Sequence, residues 1–206
     1  MGLSGSLPVL AGAYRFANTA ARCAVLASGA LTIASVLLIS YDVIVRKLFG
    51  ITLGGSDELS SYAFAISTSW SLAYGVLQRA NVRVDVLYQH LPVRVSALLD
   101  WLSLVCMGIF IGYLTFYAYD VVAQSWIYGS RANTPLGTPL ALPQGLWFGG
   151  LVFMCLILAL MLIRSSVALV TGDLETVKLV AGMRSTKEEA EEEAAQGERL
   201  IQGERK

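Results

Sequence analysis

The sequence predicts an all-α membrane protein with four transmembrane helices, a short interfacial amphipathic helix and both termini in the cytoplasm. Of its 206 residues, 55% are hydrophobic and only 15% are charged, and the mean hydropathy is +0.61. This composition is too apolar for an ordinary soluble domain. Four uncharged stretches each reach about 20 residues, which is the length of one bilayer crossing. Together they predict a four-helix membrane domain over residues 22–171.

The first predicted span covers residues 22–48 and follows an N-terminal segment of residues 1–21. Its uncharged run is longer than the apolar part of a typical signal peptide, so we expect it to stay on the mature protein. Near its end, Asp42 precedes Arg46 by four positions, which is the favourable order for an ion pair on a helix. The pair either extends into the lipid headgroups or forms a polar contact with a partner chain.

The second predicted span, residues 57–79, opens with the adjacent carboxylates Asp57 and Glu58. They either pair with another part of the protein or with a partner, or they only complement the dipole at the helix N-terminus. Small side chains then recur at every fourth position: Ser61, Ala65, Ser69 and Ala73. A face of small residues lets another membrane helix approach closely. These four residues, the two carboxylates and the Asp42–Arg46 pair form the predicted helix and partner interface.

The chain after the second span has the pattern of a short helix lying in the membrane surface. Its apolar residues recur at helical spacing: Val84, Leu87, Tyr88 and Leu91. Pro92 then ends the pattern. Arg79, Arg83 and Asp85 are the predicted anchors of this segment at the lipid headgroups. In an alternative interpretation, Arg83 and Asp85 face a partner chain.

The third and fourth predicted spans, residues 96–126 and 143–170, flank a loop rich in proline and glycine. Each span contains a GxxxG pair, a pattern that can mark a close helix crossing. The pairs are Gly108 with Gly112 and Gly145 with Gly149. Residues 172–206 form a charged tail that we expect to be solvated in the cytoplasm.

The distribution of positive charge predicts the orientation of the protein in the membrane. If the N-terminus is cytoplasmic, Arg46, Lys47 and Arg131 lie on the opposite side, and the other arginines and lysines near the spans lie on the cytoplasmic side. Both termini are therefore expected in the cytoplasm. The Pro-rich loop then faces the other compartment.

The sequence lacks the patterns of common catalytic and cofactor sites. It has one histidine and three cysteines, and no nucleotide-binding, zinc or hydrolase motif occurs. The net charge is zero and no basic cluster is present, which argues against a nucleic-acid partner. Every predicted span is uncharged in its middle, where an independent ion-coupled carrier would hold a polar site. We expect no enzyme activity and no cofactor, and we predict a structural or accessory membrane subunit.

The region from Arg46 to Pro92 has a distinctive order of residues. The positions are Arg46 and Phe49, Asp57-Glu58-Leu59 at the start of a span, Tyr62, Phe64, Gly75 and Arg79 along it, Val82 to Asp85, and Leu91-Pro92. This order resembles the small membrane subunit of tripartite ATP-independent periplasmic (TRAP) transporters, the DctQ-like family. The resemblance covers roughly residues 20–170, and beyond Pro92 it rests on hydropathy.

The resemblance implies a multi-pass protein of the bacterial inner membrane. It implies as partners a large permease subunit, which carries the solute and sodium sites and moves as an elevator, and a periplasmic solute-binding protein that delivers a small organic acid. The small subunit would be a scaffold that braces the large one against the membrane lipid. Two other functions remain open from the residues alone. One is a self-sufficient proton-coupled exporter with Asp42 as the nearest candidate carboxylate, and the other is a non-transport membrane assembly protein.

Overall fold

The computed structural model describes residues 7–79, 91–173, 176, 177, 180 and 194. Over these residues the chain is all-helical, as predicted, and its helices are α1 (Leu7–Phe49), α2 (Ser56–Leu77), α3 (Val93–Ile127) and α4 (Ala141–Thr171). An isolated β-bridge between Arg131 and Pro139 closes the loop between α3 and α4. The predicted surface helix, with Arg83 and Asp85, and nearly all of the charged tail lie outside the described residues.

The central helix of the bundle is α2, because it packs against α1 on one side and against α4 on the other. Helix α3 packs against the far side of α4, and α1 meets α4 only over a small area. The hydrophobic core therefore lies mainly along α4. The fully buried large side chains of α4 are Leu151, Ile157, Leu158 and Met161. The core also includes Leu104 and Ile111 of α3, Ala73, Val76 and Leu77 of α2, and Ala21 of α1.

Three helices are long and apolar enough to cross a membrane: Gly12–Phe49, Val93–Ile127 and Ala141–Thr171. Four such helices were predicted and three are found, because α2 is not among them. Helix α2 has 22 residues, but two carboxylates lie in its first turn. It is also rich in serine: Ser56, Ser60, Ser61, Ser67, Ser69 and Ser71. These polar residues lower its hydropathy below that of a typical membrane span.

The N-terminal part of the chain differs from the sequence prediction. Helix α1 begins at Leu7 and continues without a break through residue 22, where the first span was predicted to begin. Tyr14, Ala17 and Ala21 lie against the hydrophobic core, and the guanidinium of Arg164 in α4 lies 4.9 Å from the centre of the Tyr14 ring. The cation–π interaction connects this part of α1 to α4. The other helices are Ser56–Leu77, Val93–Ile127 and Ala141–Thr171, in the regions where the spans 57–79, 96–126 and 143–170 were predicted.

Candidate functional site

Asp42 lies near the end of α1 and is almost fully buried, at 2% exposure. Its carboxylate accepts a hydrogen bond from the backbone N–H of Leu53 at 2.7 Å and one from the Thr52 hydroxyl at 3.3 Å. Arg46, four residues later, pairs with the other carboxylate oxygen at 3.5 Å. Hydrogen bonds to a charged acceptor are stronger than neutral ones. Asp42 therefore fastens the loop between α1 and α2 to the end of α1, while the Arg46 side chain remains half-exposed.

Asp42→Ala is expected to loosen the α1–α2 loop, because the Leu53 amide and the Thr52 hydroxyl lose their acceptor. Asp42→Asn is the matched control, since an amide oxygen can still accept from Leu53 although the ion pair with Arg46 is lost. Proteolysis of the purified protein within residues 50–55 measures the effect. We expect faster cleavage for Asp42→Ala than for Asp42→Asn. Equal cleavage of both variants and the wild type would contradict this role of Asp42.

Glu58 fastens a second loop, the one between α3 and α4, to the start of α2. Its carboxylate is 8% exposed, and it accepts hydrogen bonds from the Tyr62 hydroxyl at 2.8 Å and from the Thr134 hydroxyl. Thr138 of the same loop is also within hydrogen-bonding reach of this carboxylate. The adjacent Asp57 is exposed. The two neighbouring carboxylates therefore have different surroundings, because consecutive helical residues point about 100° apart.

The loop between α3 and α4 also packs onto the turn that precedes α2. Leu136 lies so close to Gly55 that a Cβ atom at position 55 would collide with its side chain. Pro135 lies 4.0 Å from the position that a Cβ atom would take on Gly54. Because the two loops touch, the ends of α1 and α3 and the starts of α2 and α4 all lie at one end of the bundle.

The four small residues predicted to share one face of α2 differ in their exposure within the subunit. Ser61 is exposed and Ala65 is half-buried, whereas Ser69 and Ala73 are buried. A spacing of four residues advances the helix by about 400°, so the direction drifts by about 40° at each step. Over three steps the stripe turns by about 120°. The structure thus brings Ser69 and Ala73 into the bundle and leaves Ser61 at its surface.

Ser69 packs against a glycine of α4 that the sequence analysis did not single out. A Cβ atom at Gly150 would lie 2.9 Å from the backbone carbonyl carbon of Ser69, so the two helices approach too closely here for any larger residue. Of the predicted GxxxG residues, Gly145 and Gly112 face open space. Gly108 approaches Leu162 and Gly149 approaches Trp70. The close crossing of α2 and α4 therefore depends on Gly150.

Trp70, in the middle of α2, also contacts α4 at this crossing. Its indole N–H donates a hydrogen bond to the Leu146 carbonyl of α4 at 2.9 Å, and its ring stacks on Phe153 with 5.6 Å between centroids. A tryptophan within a membrane helix needs a hydrogen-bond acceptor when its N–H is away from water. This requirement, together with the Gly149–Gly150 doublet, is the signal by which the crossing could have been found from the sequence.

A groove runs along the outer seam between α1 and α2. It consists of two adjacent cavities of about 370 and 200 Å³ that share Thr32 and Phe64. Hydroxyl groups from both helices line it: Ser28, Thr32, Ser35, Ser60, Ser61, Ser67, Thr68 and Ser71. We call it the hydroxyl groove. Asp57 lies at its end near the start of α2.

The described part of the chain contains no cluster of three or more histidine, cysteine, aspartate or glutamate side chains that could hold a metal ion. Of the predicted surface anchors, only Arg79 is described. It lies just beyond the end of α2 with φ +57°. Its N–H bonds to the Val76 carbonyl at 3.0 Å, so Arg79 takes part in ending the helix.

Comparison with known families gives one match that covers most of the membrane domain. The model of the family described as "Tripartite ATP-independent periplasmic transporters, DctQ component" matches residues 35–167. No curated protein and no solved structure matches the chain. The matched residues extend from the middle of α1 to the last turns of α4. They include both loop-fastening carboxylates and the crossing at Gly150.

Proposed function

The chain belongs to the DctQ family of TRAP transporter components, and we propose that it is the scaffold on which the large permease subunit is held during uptake. It is therefore a small membrane subunit of such a transporter. The DctQ family consists of transport components and is not an enzyme family. The proposal extends to the bacterial inner membrane as its location, to sodium as the coupling ion and to a small organic acid as the solute. A periplasmic solute-binding protein would deliver that solute to the complex.

The observation that best supports a scaffold role is the use of the buried acidic groups. Asp42 and Glu58 each fasten a loop to a helix end, so these carboxylates stabilise a fixed arrangement. A carrier that works alone needs polar groups that can bind and release an ion or solute along the pathway. Asp42, which the exporter alternative requires as a coupling group, is instead held by Leu53, Thr52 and Arg46. No observation favours the exporter or an assembly protein without a transport role.

We propose further that α2 is a fourth crossing and that both termini are cytoplasmic. The hydrogen bond between Glu58 and Thr134 brings the loops that follow α1 and α3 to one end of the bundle. Helix α3 is long enough to span a bilayer, so it begins at the opposite end. The chain between the end of α1 and the start of α3 must then pass from one end to the other. At about 1.5 Å per residue, α2 is long enough for that crossing.

The hydroxyl groups of α2 are compatible with a position inside the membrane. Ser61, Thr68 and Ser71 each donate a hydrogen bond to a backbone carbonyl of their own helix. Ser69 does the same and is shielded by α4. A polar side chain that is bonded within its helix has a reduced cost in lipid. The positive-inside rule then assigns the end with Asp42 and Glu58 to the periplasmic side.

Co-purification is the direct test of the scaffold function. The tagged protein, expressed together with its chromosomal neighbours, is expected to bring down a large multi-span permease. Vesicles that contain this subunit alone are expected to accumulate no solute, whereas vesicles with both subunits should do so when a sodium gradient and the binding protein are supplied. Recovery of the tagged protein without a large permease would overturn the proposal. Uptake by the lone subunit would also overturn it.

A further inference from the structure

The hydroxyl groove lies along α1, the least buried of the three helices that are long and apolar enough to cross a membrane. Only 6% of the most apolar stretch of α1 is buried inside the bundle, compared with 28% for α3 and 33% for α4. Helix α1 packs along α2, and the two helices leave the groove open between them. In a protein that works as part of a complex, this open groove between α1 and α2 has room for a contact with a partner.

One hydroxyl in the groove is deeply buried and yet lacks a hydrogen bond. Ser67 is 5% exposed, it lines the groove, and its Oγ atom has no partner among the described residues. The neighbouring hydroxyls of Thr32, Thr68 and Ser71 already donate to carbonyls of their own helices. They can still accept a hydrogen bond, because a hydroxyl oxygen has two lone pairs. The groove therefore offers acceptors along its length and one unsatisfied hydroxyl at Ser67.

A charge is present at one end of the same groove. Asp57 is exposed, and no ion pair of its carboxylate occurs in the part of the chain that the structure describes. The cation Arg46 is paired with Asp42. A positively charged side chain from outside the bundle would complement Asp57, because opposite charges attract strongly where water is partly excluded.

We propose that the hydroxyl groove is the docking site for one transmembrane helix of the large permease. That helix would place a lysine or arginine against Asp57 and a hydrogen-bond donor, such as a serine, threonine, asparagine or glutamine, against Ser67. Ser67 is ten positions after Asp57 in α2, a distance of about 15 Å along the helix. The two contact residues on the docked helix are therefore about ten positions apart as well. This inference rests on the proposed function, since it takes the permease as the partner.

A helix fits the groove better than a lipid molecule does. A headgroup could pair with Asp57, but its polar atoms remain near the membrane surface. Ser67, about 15 Å deeper, lies near the middle of a hydrocarbon layer of about 30 Å. An acyl chain at that depth has no hydrogen-bonding group for Ser67. A polar side chain on a helix does, and membrane helices use such contacts to associate.

Photo-crosslinking in the intact complex locates the occupant. A benzophenone side chain replaces Ser61 or Thr68, which are exposed positions along the groove. The reference position is Phe110, which is exposed on α3. The expected result is a covalent adduct with the large permease from both groove positions. If the permease co-purifies but the groove positions yield only lipid adducts or adducts with a second copy of this chain, the docking site is wrong while the scaffold function stands. If no permease co-purifies, the scaffold function itself fails.

Ser67→Ala gives a second test with opposite effects on two measurements. In the isolated subunit the substitution removes an unsatisfied hydroxyl, so the melting temperature should be unchanged or higher. In the complex it removes a contact, so recovery of the permease should fall about threefold to tenfold. Thr19→Ala is the control, because the Thr19 hydroxyl lies outside the groove and already donates to the Arg15 carbonyl. A loss of stability in the isolated subunit, or unchanged recovery of the permease, would contradict the docking of a donor at Ser67.

Asp57→Lys tests the charged end of the groove. A like charge facing the partner cation should lower recovery of the complex about tenfold or more. The isolated subunit should melt normally, since Asp57 is exposed. Replacement of the basic residue on the crosslinked permease helix by an acidic one should restore recovery of the complex with Asp57→Lys. Normal recovery of the complex with Asp57→Lys would contradict the proposed ion pair.

Discussion

Gly150→Leu is expected to prevent the close approach of α2 and α4 and to leave little folded protein in detergent. A Cβ atom at this position would already lie 2.9 Å from the backbone carbonyl carbon of Ser69. Because a backbone atom cannot turn away as the end of a long side chain can, the helices must separate to admit the larger residue. Overpacking of this kind costs about 3 kcal/mol at the upper end of its usual range. The substituted helix contributes more residues to the hydrophobic core than any other helix does.

Gly145→Leu is the matched control for this experiment. It makes the same substitution in the same helix, and the Cβ position of Gly145 faces open space. Both variants gain similarly in helix propensity, so the difference between them reports the contact with Ser69. The measurements are the melting temperature in detergent and the yield of monodisperse protein. If the two variants melt at the same temperature, the crossing at Gly150 does not hold α2 to α4.

The small-residue face of α2 shows what helical spacing can and cannot predict. The stripe at every fourth position included Ser69 and Ala73, which are buried, but also Ser61, which is exposed. The residues buried along α2 continue from Ala73 to Val76 with a step of three. Alternate steps of four and three follow a helix of 3.6 residues per turn, whereas repeated steps of four drift off the face. Alternating steps would have selected Ser69, Ala73 and Val76, which pack inside the subunit, whereas Ser61 lines the groove on its outside.

The roles of the two adjacent carboxylates could not be predicted from the sequence for a different reason. Their position at the start of α2 was evident, but Glu58 is buried only because Thr134 reaches it from the α3–α4 loop, 76 residues away in the chain. A Pro-rich loop of that kind is recognisable as a loop from composition alone. Where it packs is determined by the tertiary fold. The contact of Tyr14 with Arg164 of α4 was unpredictable for the same reason, since the two residues are distant in the chain.

Glu58→Ala is expected to release the α3–α4 loop from the start of α2. The substitution removes the acceptor of the Tyr62 and Thr134 hydroxyls. Buried donors that lose a charged acceptor are costly, because in the folded protein they do not regain full contact with water. We expect a melting temperature lower by roughly 5 °C or more. We also expect rapid proteolysis within residues 131–139.

Two comparisons separate this role of Glu58 from a general effect of removing a carboxylate. Asp57→Ala removes the adjacent, exposed carboxylate, so the isolated subunit should keep its melting temperature and its resistant loop. Thr134→Val removes only the hydroxyl that bonds to Glu58, so its effect should overlap with that of Glu58→Ala. The double variant should then lose less stability than the sum of the losses in the two single variants, because the effects of substituting two contacting residues are not additive. Full additivity, or equal destabilisation by Asp57→Ala, would mean that the Glu58–Thr134 contact does not hold the loop.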